Sequence, residues 1–563
     1  MAEYLSPGVY VEEYDNSPRS IEGVGTSTAG FVGLCERGPV QGAPSLVTSF
    51  SSFTKQFGGF LSEFTFGEYR YLANSVEQFF MNGGTRCFVA RVIPSDAKAA
   101  SLKKGILTLT ADNEGKWGNR IQFTISAVTK KKLQIVEKAG DAFVAKNIDG
   151  FAEGDVVVVN GEYNKIATIF EDKVTFAKPF KANIVDNNII PKTVLYLVEY
   201  DVQVKYNEIS EVYSGVNFNI TSKNYIVSKL EKSGLVKVEC DAAKSENPLS
   251  DIFGKDEPAT LILQGGTDGS VSKINASTFI GQDEGPGKRT GLASFVENNL
   301  VSMLAVPGVT IPEVVVSLVA HCENLKNRFA VIDMPQDMTK PKDLIEYRGL
   351  IDSTYAAMYH PWIQVFDRSS NKAGYIPPSG AIMGVYSRTD IERGVHKAPA
   401  NETVACTGLK VNYTQAEQDI LNPEGVNLIR NIPGQGIRVW GARTASSNSA
   451  FKYVNVRRLF IFVEESIKAN TNWVVFEPND TALWSRVQVT ISSFLTGLWR
   501  SGMLSGGSPA EAFFVEIGTS TMTRDDINSG RLICNIGIAP SKPAEFVIFR
   551  VTQHTAEASG SEE

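Results

Sequence analysis

The stretch Gly281-Gln282-Asp283-Glu284-Gly285-Pro286-Gly287-Lys288-Arg289 resembles a degraded phosphate loop. Such a loop cradles phosphates with backbone N–H groups, reaches them with a lysine and holds magnesium through a following Ser or Thr hydroxyl. Here Gln282 stands where a glycine is needed and Arg289 where the hydroxyl is needed, so the reading is a surface loop. Gln264-Gly265-Gly266-Thr267-Asp268-Gly269 is a glycine turn with no third glycine opening a helix, as a dinucleotide fingerprint requires. It reads as a tight connection. His321 and Cys322 are adjacent and diverge on a helix, while His360, His396 and His554 are far apart, and neither CxxC nor HExxH occurs. Asp525-Asp526, following Thr523, suits the start of a helix, where negative charge matches the dipole. Gly25-Thr26-Ser27-Thr28-Ala29 lacks the final glycine of a nucleophile elbow. The expectation is a protein that is not an enzyme, with no catalytic residue, no cofactor and no metal.

The elements that would have to position any chemistry are those of a large globular chain. With 563 residues, 43% hydrophobic and 21% charged, more than one folding unit is expected and a disordered or collagen-like chain is excluded. A net charge of −7 argues against a nucleic-acid coat, which needs a basic surface. Cys35, Cys87, Cys240, Cys322, Cys406 and Cys534 are scattered without close pairing, which favours reduced thiols in a cytoplasm over a disulfide framework. Glu3, Pro7, Glu12, Glu13 and Asp15 occupy the place of a signal peptide's apolar region. The run Leu300 to Ala320 is broken by Pro307, Gly308, Pro312 and Glu313, so no direct membrane insertion is expected.

Basic residues change type along the chain. Ser101 to Gly254 holds 19 lysines and one arginine, Arg120, whereas the remainder holds 14 lysines and 21 arginines. That segment reads as strands: Ile121, Phe123 and Ile125 alternate, Val156 to Val159 is β-branched, and Val198 to Tyr206 keeps a period of two. On either side, Phe31–Cys35, Cys87–Val92, Phe329–Ile332, Ile363–Phe366 and Ile437–Trp440 read as strands. Tyr69, Leu72, Ala73, Val76 and Phe80 fall at helical spacing, as do Val456, Leu459, Phe460, Val463 and Ile467, and Trp484, Val487, Ile491, Phe494, Leu495 and Leu498. Asn479 or Asp480 caps the last of these. Arg457 and Arg458 lie beside an apolar stripe and read either as a solvated face or as an interface. The expected fold class is an α/β (α+β) core assembled from both flanks (28–100 and 255–539), with an inserted β-rich domain (101–254) and extended terminal arms (1–27 and 540–563).

The chain ends are the most informative. Tyr4 to Glu13 is a turn followed by an extended piece, and Val9, Tyr10, Val11 and Glu12 form its core. Behind Pro540-Ser541-Lys542-Pro543 comes Phe546, Val547, Ile548, Phe549, Arg550 and Val551, a strand apolar on both faces. Left bare, such a strand would aggregate, so it must be donated to a sheet edge in its own subunit or a neighbour.

The same residues carry a resemblance to the contractile tail sheath proteins of bacteriophages and phage-tail-like extracellular injection systems. The matching stretches are Tyr4–Glu13, Thr28–Gly33, Phe79–Cys87, Pro377–Gly380, Arg393–Asn401, Leu421–Asn427, Gly434–Glu465 with the Trp473–Asp480 loop, and Gly530–Cys534 through Pro543–Phe546. The resemblance covers both flanks and leaves out Ser101–Gly254. It implies a homo-oligomer of stacked sixfold rings around an inner tube protein, contacting baseplate and terminator proteins. Such a sheath shortens to drive the tube through a target envelope, without nucleotide, nucleic acid or cofactor. The resemblance gives Val9–Glu12 and Phe546–Val551 the role of completing a neighbour's sheet and turns the C-terminal core towards the tube, with the insertion outermost. It puts the helix Trp484–Trp499 and the Ser501–Glu511 connection, hence Trp484, Arg486, Trp499, Arg500 and Glu511, near that tube. Synthesis in a bacterial cytoplasm, in a phage tail or a released particle, is also implied. The competing readings are a monomeric α/β nucleotide-binding enzyme and a binding module.

Overall fold

Short β-branched runs flanked by amphipathic helices assemble a central sheet between two helical layers. The computed structural model describes residues 20–128, 131–181, 193–241 and 259–548. The central strands are β1 (Ala29–Leu34), β2 (Ser45–Val47), β3 (Cys87–Val92), β4 (Met303–Ala305), β5 (Phe329–Asp333), β6 (Ala356–His360), β7 (Glu402–Thr403), β8 (Val426–Ile432) and β9 (Gly436–Val439). They lie in the order β2-β3-β1-β4-β5-β6-β8-β9-β7. From β3 to β8 every pairing is parallel, and the antiparallel β2 and the β9–β7 pair close the two ends. Parallel strands need cover on both faces. Alternation supplies it: Phe31, Val331 and Tyr359 enter one core, and Val32, Ile332 and Met358 the other.

The first core is roofed by α1 (Leu72–Met81) and α3 (Ser379–Arg393), the second by α2 (Pro312–Leu325). Gly380 and Gly384, one turn apart, let α3 approach α1 closely. A Cβ on Gly380 would sit 2.2 Å from the Ser75 carbonyl oxygen, and one on Gly384 2.5 Å from that of Phe79. Only glycine leaves that space empty. Asp333, at the end of β5, accepts hydrogen bonds from the Gly308 amide, the Ser379 amide and the Ser379 hydroxyl, which pins the start of α3 to the sheet.

The central sheet draws its strands from 29–92 and 303–439. Strands from Ser101 to Ile262 pair among themselves: two small sheets share one core, and six strands between Lys132 and Leu197 close a barrel with its own. Ala259–Ile262 joins the sheet of Gln122–Val128, a few residues past the expected end of the insertion. Ile363–Asp367 is a strand, as expected; it pairs with Lys372–Ile376 and Gly408–Leu409 in a small antiparallel sheet that adds Ile363, Val365, Ile376 and Leu409 to the first core. Period alone does not say which sheet a strand joins.

The C-terminal lobe consists of α4 (Val454–Asn470), α5 (Thr481–Arg500), β10 (Phe513–Ile517) and β11 (Cys534–Ile538). Asp480 is the cap of α5 and accepts from the Leu483 amide at 2.8 Å. Thr523 and Asp526 form a reciprocal capping box on Arg524–Asn528, so this acidic pair opens a helix. Leu459, Val463, Leu483, Val487, Ile491 and Leu495 pack in the lobe's core together with Ile21 from the start of the chain. Among the described residues, no helix is long and apolar enough to cross a membrane.

Because the Ser75 carbonyl cannot move without breaking α1, Gly380→Ala is expected to destabilise the chain by about 1–3 kcal/mol, read as a lower midpoint in urea unfolding.

Candidate assembly site at the two ends of the chain

Residues 20–28 run as a strap along one face of α4. Asn470 Nδ2 donates to the Glu22 carbonyl (3.0 Å), the Val24 amide donates to Ser466 Oγ (3.1 Å), and the Phe462 ring lies so close to Gly23 that a Cβ there would meet it at 2.7 Å. Arg458 completes the series: its Nη2 donates to the Thr26 carbonyl at 2.9 Å. Positions 458, 462, 466 and 470 are spaced by four, one stripe of a helix. The strap then enters β1 through Ser302, whose hydroxyl donates to the Thr26 and Thr28 carbonyls.

Arg458 is not on a solvated face. Its guanidinium grips Asp390 of α3 with both nitrogens (2.9 and 2.6 Å), and the two side chains are 4% and 3% exposed. The Thr26 hydroxyl donates to the same carboxylate at 2.7 Å, and Arg458 stacks on Tyr386. Arg457 is buried too, 3.6 Å from the Phe451 ring centre and 4.5 Å from that of Tyr355. Both arginines therefore act inside their own chain, in place of the solvated or interfacial readings. Helical spacing could not show this because Asp390 lies 68 residues away. Beside the strap lies a cavity of about 480 Å³, lined by Gly25, Arg86, Leu300, Arg458, Phe462 and Lys468 among others.

The other end of the chain is fixed by Glu545. Arg443 donates Nε and Nη2 to its two oxygens (2.7 and 2.8 Å), Asn422 Nδ2 donates at 2.8 Å, the Tyr453 hydroxyl at 2.8 Å, and Lys452 stands at 3.3 Å. Burial would raise this carboxyl, but hydrogen bonds from Arg443, Asn422 and Tyr453 outweigh it and hold the group at about 2. One residue later the chain is in the open: Phe546, Val547 and Ile548 are 70%, 66% and 78% exposed and pair with no strand of the described chain. Val9, Tyr10, Val11, Glu12, Phe549, Arg550 and Val551 lie outside the described residues. Close by, β10 and β11 form a two-stranded antiparallel sheet on α5.

The residues expected near a tube do not gather at one spot. Trp484 and Arg486 sit near the start of α5, and Trp499 and Arg500 at its end, roughly 20 Å away at 1.5 Å per residue. Trp484 Nε1 donates to Asn479 Oδ1 (2.7 Å), Arg486 pairs with Glu477 (3.2 Å), Trp499 Nε1 donates to the Gly506 carbonyl (3.0 Å), and Glu511 accepts from the Gly507 amide (2.9 Å). Arg500 is exposed. Between α4 and α5, Phe476 stands fully exposed with φ +68°, which an aromatic residue rarely adopts; nothing in the sequence singled it out.

The loops that resembled ligand sites have other work. Arg289 is taken up by Asp283 and Glu297. The Gln264–Gly269 turn bridges back to Lys98 and Ser101. His321 lies against Arg328, and burial with that charge pushes it down to about 4. His360, buried at the end of β6, is pushed down to about 4 by burial and by Lys410. The six cysteines are free, and among the described residues no three His, Cys, Asp or Glu side chains gather as a metal set.

Two outcomes follow from the ion pairs. Removing one partner of the Arg458–Asp390 pair strands a buried charge, so Arg458→Met is expected to cost about 3–5 kcal/mol, and the double variant Arg458→Met/Asp390→Leu less, as read by denaturant midpoints. Glu545 ionises more readily in the folded chain, so its stabilisation is fully present above the ordinary glutamate value of 4.5 and is lost as pH falls through about 2. Glu545→Gln should therefore melt below the parent at neutral pH, and the gap should close as the solution is acidified from pH about 5 towards 2.

Residues 284–445 match the phage tail sheath protein central domain, and residues 446–554 the phage tail sheath C-terminal domain. A prophage major tail sheath protein of Pseudomonas aeruginosa (strain UCBPP-PA14) is 24% identical over 305 residues, which covers 52% of this chain and 76% of that protein. The tail sheath protein of Escherichia phage P2 is 24% identical over 348 residues, 59% of this chain and 83% of that protein. Among solved structures, the sheath complex of the extracellular contractile injection system PVC in its contracted state shares the fold, with a TM-score of 0.54 at 22% identity over 98% of this chain and 99% of that one. Residues 284–554 of this chain thus match, in adjoining order, the central and C-terminal domains of the phage tail sheath proteins.

Proposed function

We propose that this chain is the repeating subunit of a contractile sheath, made in a bacterial cytoplasm, which polymerises as stacked sixfold rings around an inner tube and shortens to drive that tube through an envelope. The observation that carries this reading is the change at Glu545: a carboxylate held by four side chains is followed at once by the bare apolar residues Phe546, Val547 and Ile548. A chain that anchors the root of such a segment and leaves its own sheets without it is prepared to give it to another copy. The acceptor is the sheet of β10 and β11, in which each strand has one partner among the described residues and so one edge to offer. Residues 9–12 and 546–551 are the two arms that would fill those edges, by main-chain hydrogen bonds worth about 0.5–1.5 kcal/mol each. Weak single links repeated through a lattice make it strong while letting subunits turn.

In this reading 28–100 and 255–539 are the body of the subunit, 101–254 the outer domain, and α5 with the connection to Glu511 the surface near the tube. Baseplate and terminator proteins would meet the lattice at its ends. The test is negative-stain microscopy of the purified chain beside variants lacking residues 1–15 or 546–563. Tubes or rings from the full chain, and folded but dispersed subunits from both deletions, are expected. Unchanged tubes from either deletion would overturn that arm's role, and dispersed full-length chain under all polymerising conditions would overturn the sheath reading.

A further inference from the structure

The anchor of the C-terminal arm does not belong to the lobe that the chain has just left. From Ile538 the chain first follows the lobe, with the Ala539 amide donating to the Ala512 carbonyl (2.8 Å) and the Ser541 amide to the Met503 carbonyl (3.3 Å). It then runs past the first turn of α4, where Asn455 Nδ2 donates to the Ser541 carbonyl (3.2 Å), and leaves the lobe where Glu545 reaches Arg443. Arg443 leads inward. Its amide donates to Asn427 Oδ1 at 2.7 Å, and its carbonyl accepts from Asn427 Nδ2 at 2.8 Å. Asn427 is fully buried in β8 and also donates to the Met358 carbonyl of β6 (3.1 Å). An unbroken line of hydrogen bonds thus runs from the last anchored residue of the arm to two parallel strands of the central sheet. The N-terminal strap meets α4 three residues beyond Asn455, at Arg458.

We propose that Glu545 is a positioning residue for assembly, mooring the outgoing arm to the central sheet through Arg443 so that the arm held by a second copy follows the subunit body rather than the β10–β11 hairpin it passes. This rests on the arm reading above. Arg443 suits the task because its planar fork meets both carboxylate oxygens, which a lysine cannot do. A mooring of this kind sets where the arm leaves the surface and in which direction, and therefore whether it reaches a neighbour's sheet in register.

The experiment compares the full chain with Glu545→Gln, Arg443→Lys, the swap Arg443→Glu/Glu545→Arg, the deletion of 546–563, and Ile332→Val as a core control that lowers stability without touching the arm. Each is followed by melting temperature and by the sedimentable fraction under polymerising conditions. Loss of charge-assisted hydrogen bonds should cut assembly by about tenfold in Glu545→Gln and several-fold in Arg443→Lys. Ile332→Val should assemble like the parent despite a lower melting temperature, and the swap should recover part of the loss. Deletion failing while Glu545→Gln and Arg443→Lys assemble within about twofold of the parent would overturn the mooring and leave the arm reading standing. Equal losses in Glu545→Gln and in Ile332→Val would reduce Glu545 to a stability contact and also overturn it. Normal assembly of the deletion variant would overturn the arm reading itself.

Discussion

A guanidinium and a carboxylate shut away from water hold this molecule's separate pieces in one arrangement. Arg458 comes from α4, Asp390 from α3, and Thr26 from the strap that precedes β1, and each contacts the other two. Taking two charges out of water costs several kcal/mol per ion and is offset only when geometry is good and spare lone pairs are filled. Here the contact is bidentate, Thr26 fills a lone pair, and Tyr386 covers the cation. The three segments are therefore held as a unit, since parting α3 from α4 would strand a buried charge, and lifting the strap would leave a carboxylate lone pair and a guanidinium N–H without their partners.

That constraint makes α4 the organising element of the subunit. Its apolar stripe, Leu459, Phe462 and Val463, packs with α5 in the core of the C-terminal lobe, while Arg457 and Arg458 turn towards the sheet body. At its first turn Tyr453 and Asn455 hold the outgoing chain, and along its length Arg458, Ser466 and Asn470 hold the incoming strap. Residues 22–26 and residues 541–545 thus both run past one helix. Through this helix the strap and the outgoing segment are both tied to the parallel sheet, whose strands are buried on both faces. Packed interfaces of this kind settle into discrete arrangements rather than stretching.

Much of the architecture was legible because local patterns are short-ranged. Cys87–Val92 and Phe329–Asp333 are β-branched, aromatic and continuous, and they are central strands. The 3.6-residue pattern from Val456 to Ile467 lies within α4, and that from Trp484 to Leu498 within α5, with Asp480 as its cap. The lysine-rich stretch has strands that pair within 101–262, where Ile121, Phe123 and Ile125 alternate into their own core. What failed was any judgement that needed a partner from elsewhere. Arg458 looks the same on paper whether it meets water or Asp390. Glu545 and Arg443 are separated by 102 positions, and no spacing rule links them. Ile363–Asp367 is legible as a strand, but that it pairs outside the central sheet depends on Lys372–Ile376, its antiparallel partner only a tight turn away.

The amino-acid order alone determined which segments are helix or strand and that the two flanks share one α/β character, because these depend on side-chain type and on neighbours a few positions away. Only the tertiary structure decided that two arginines are buried, that Gly380 and Gly384 allow two helices to touch, and that Glu545 meets Arg443, Asn422 and Tyr453. Each of those turns on charges or atoms brought together across dozens to hundreds of residues, and the energy of a buried charge or a filled gap is set by what surrounds it in space.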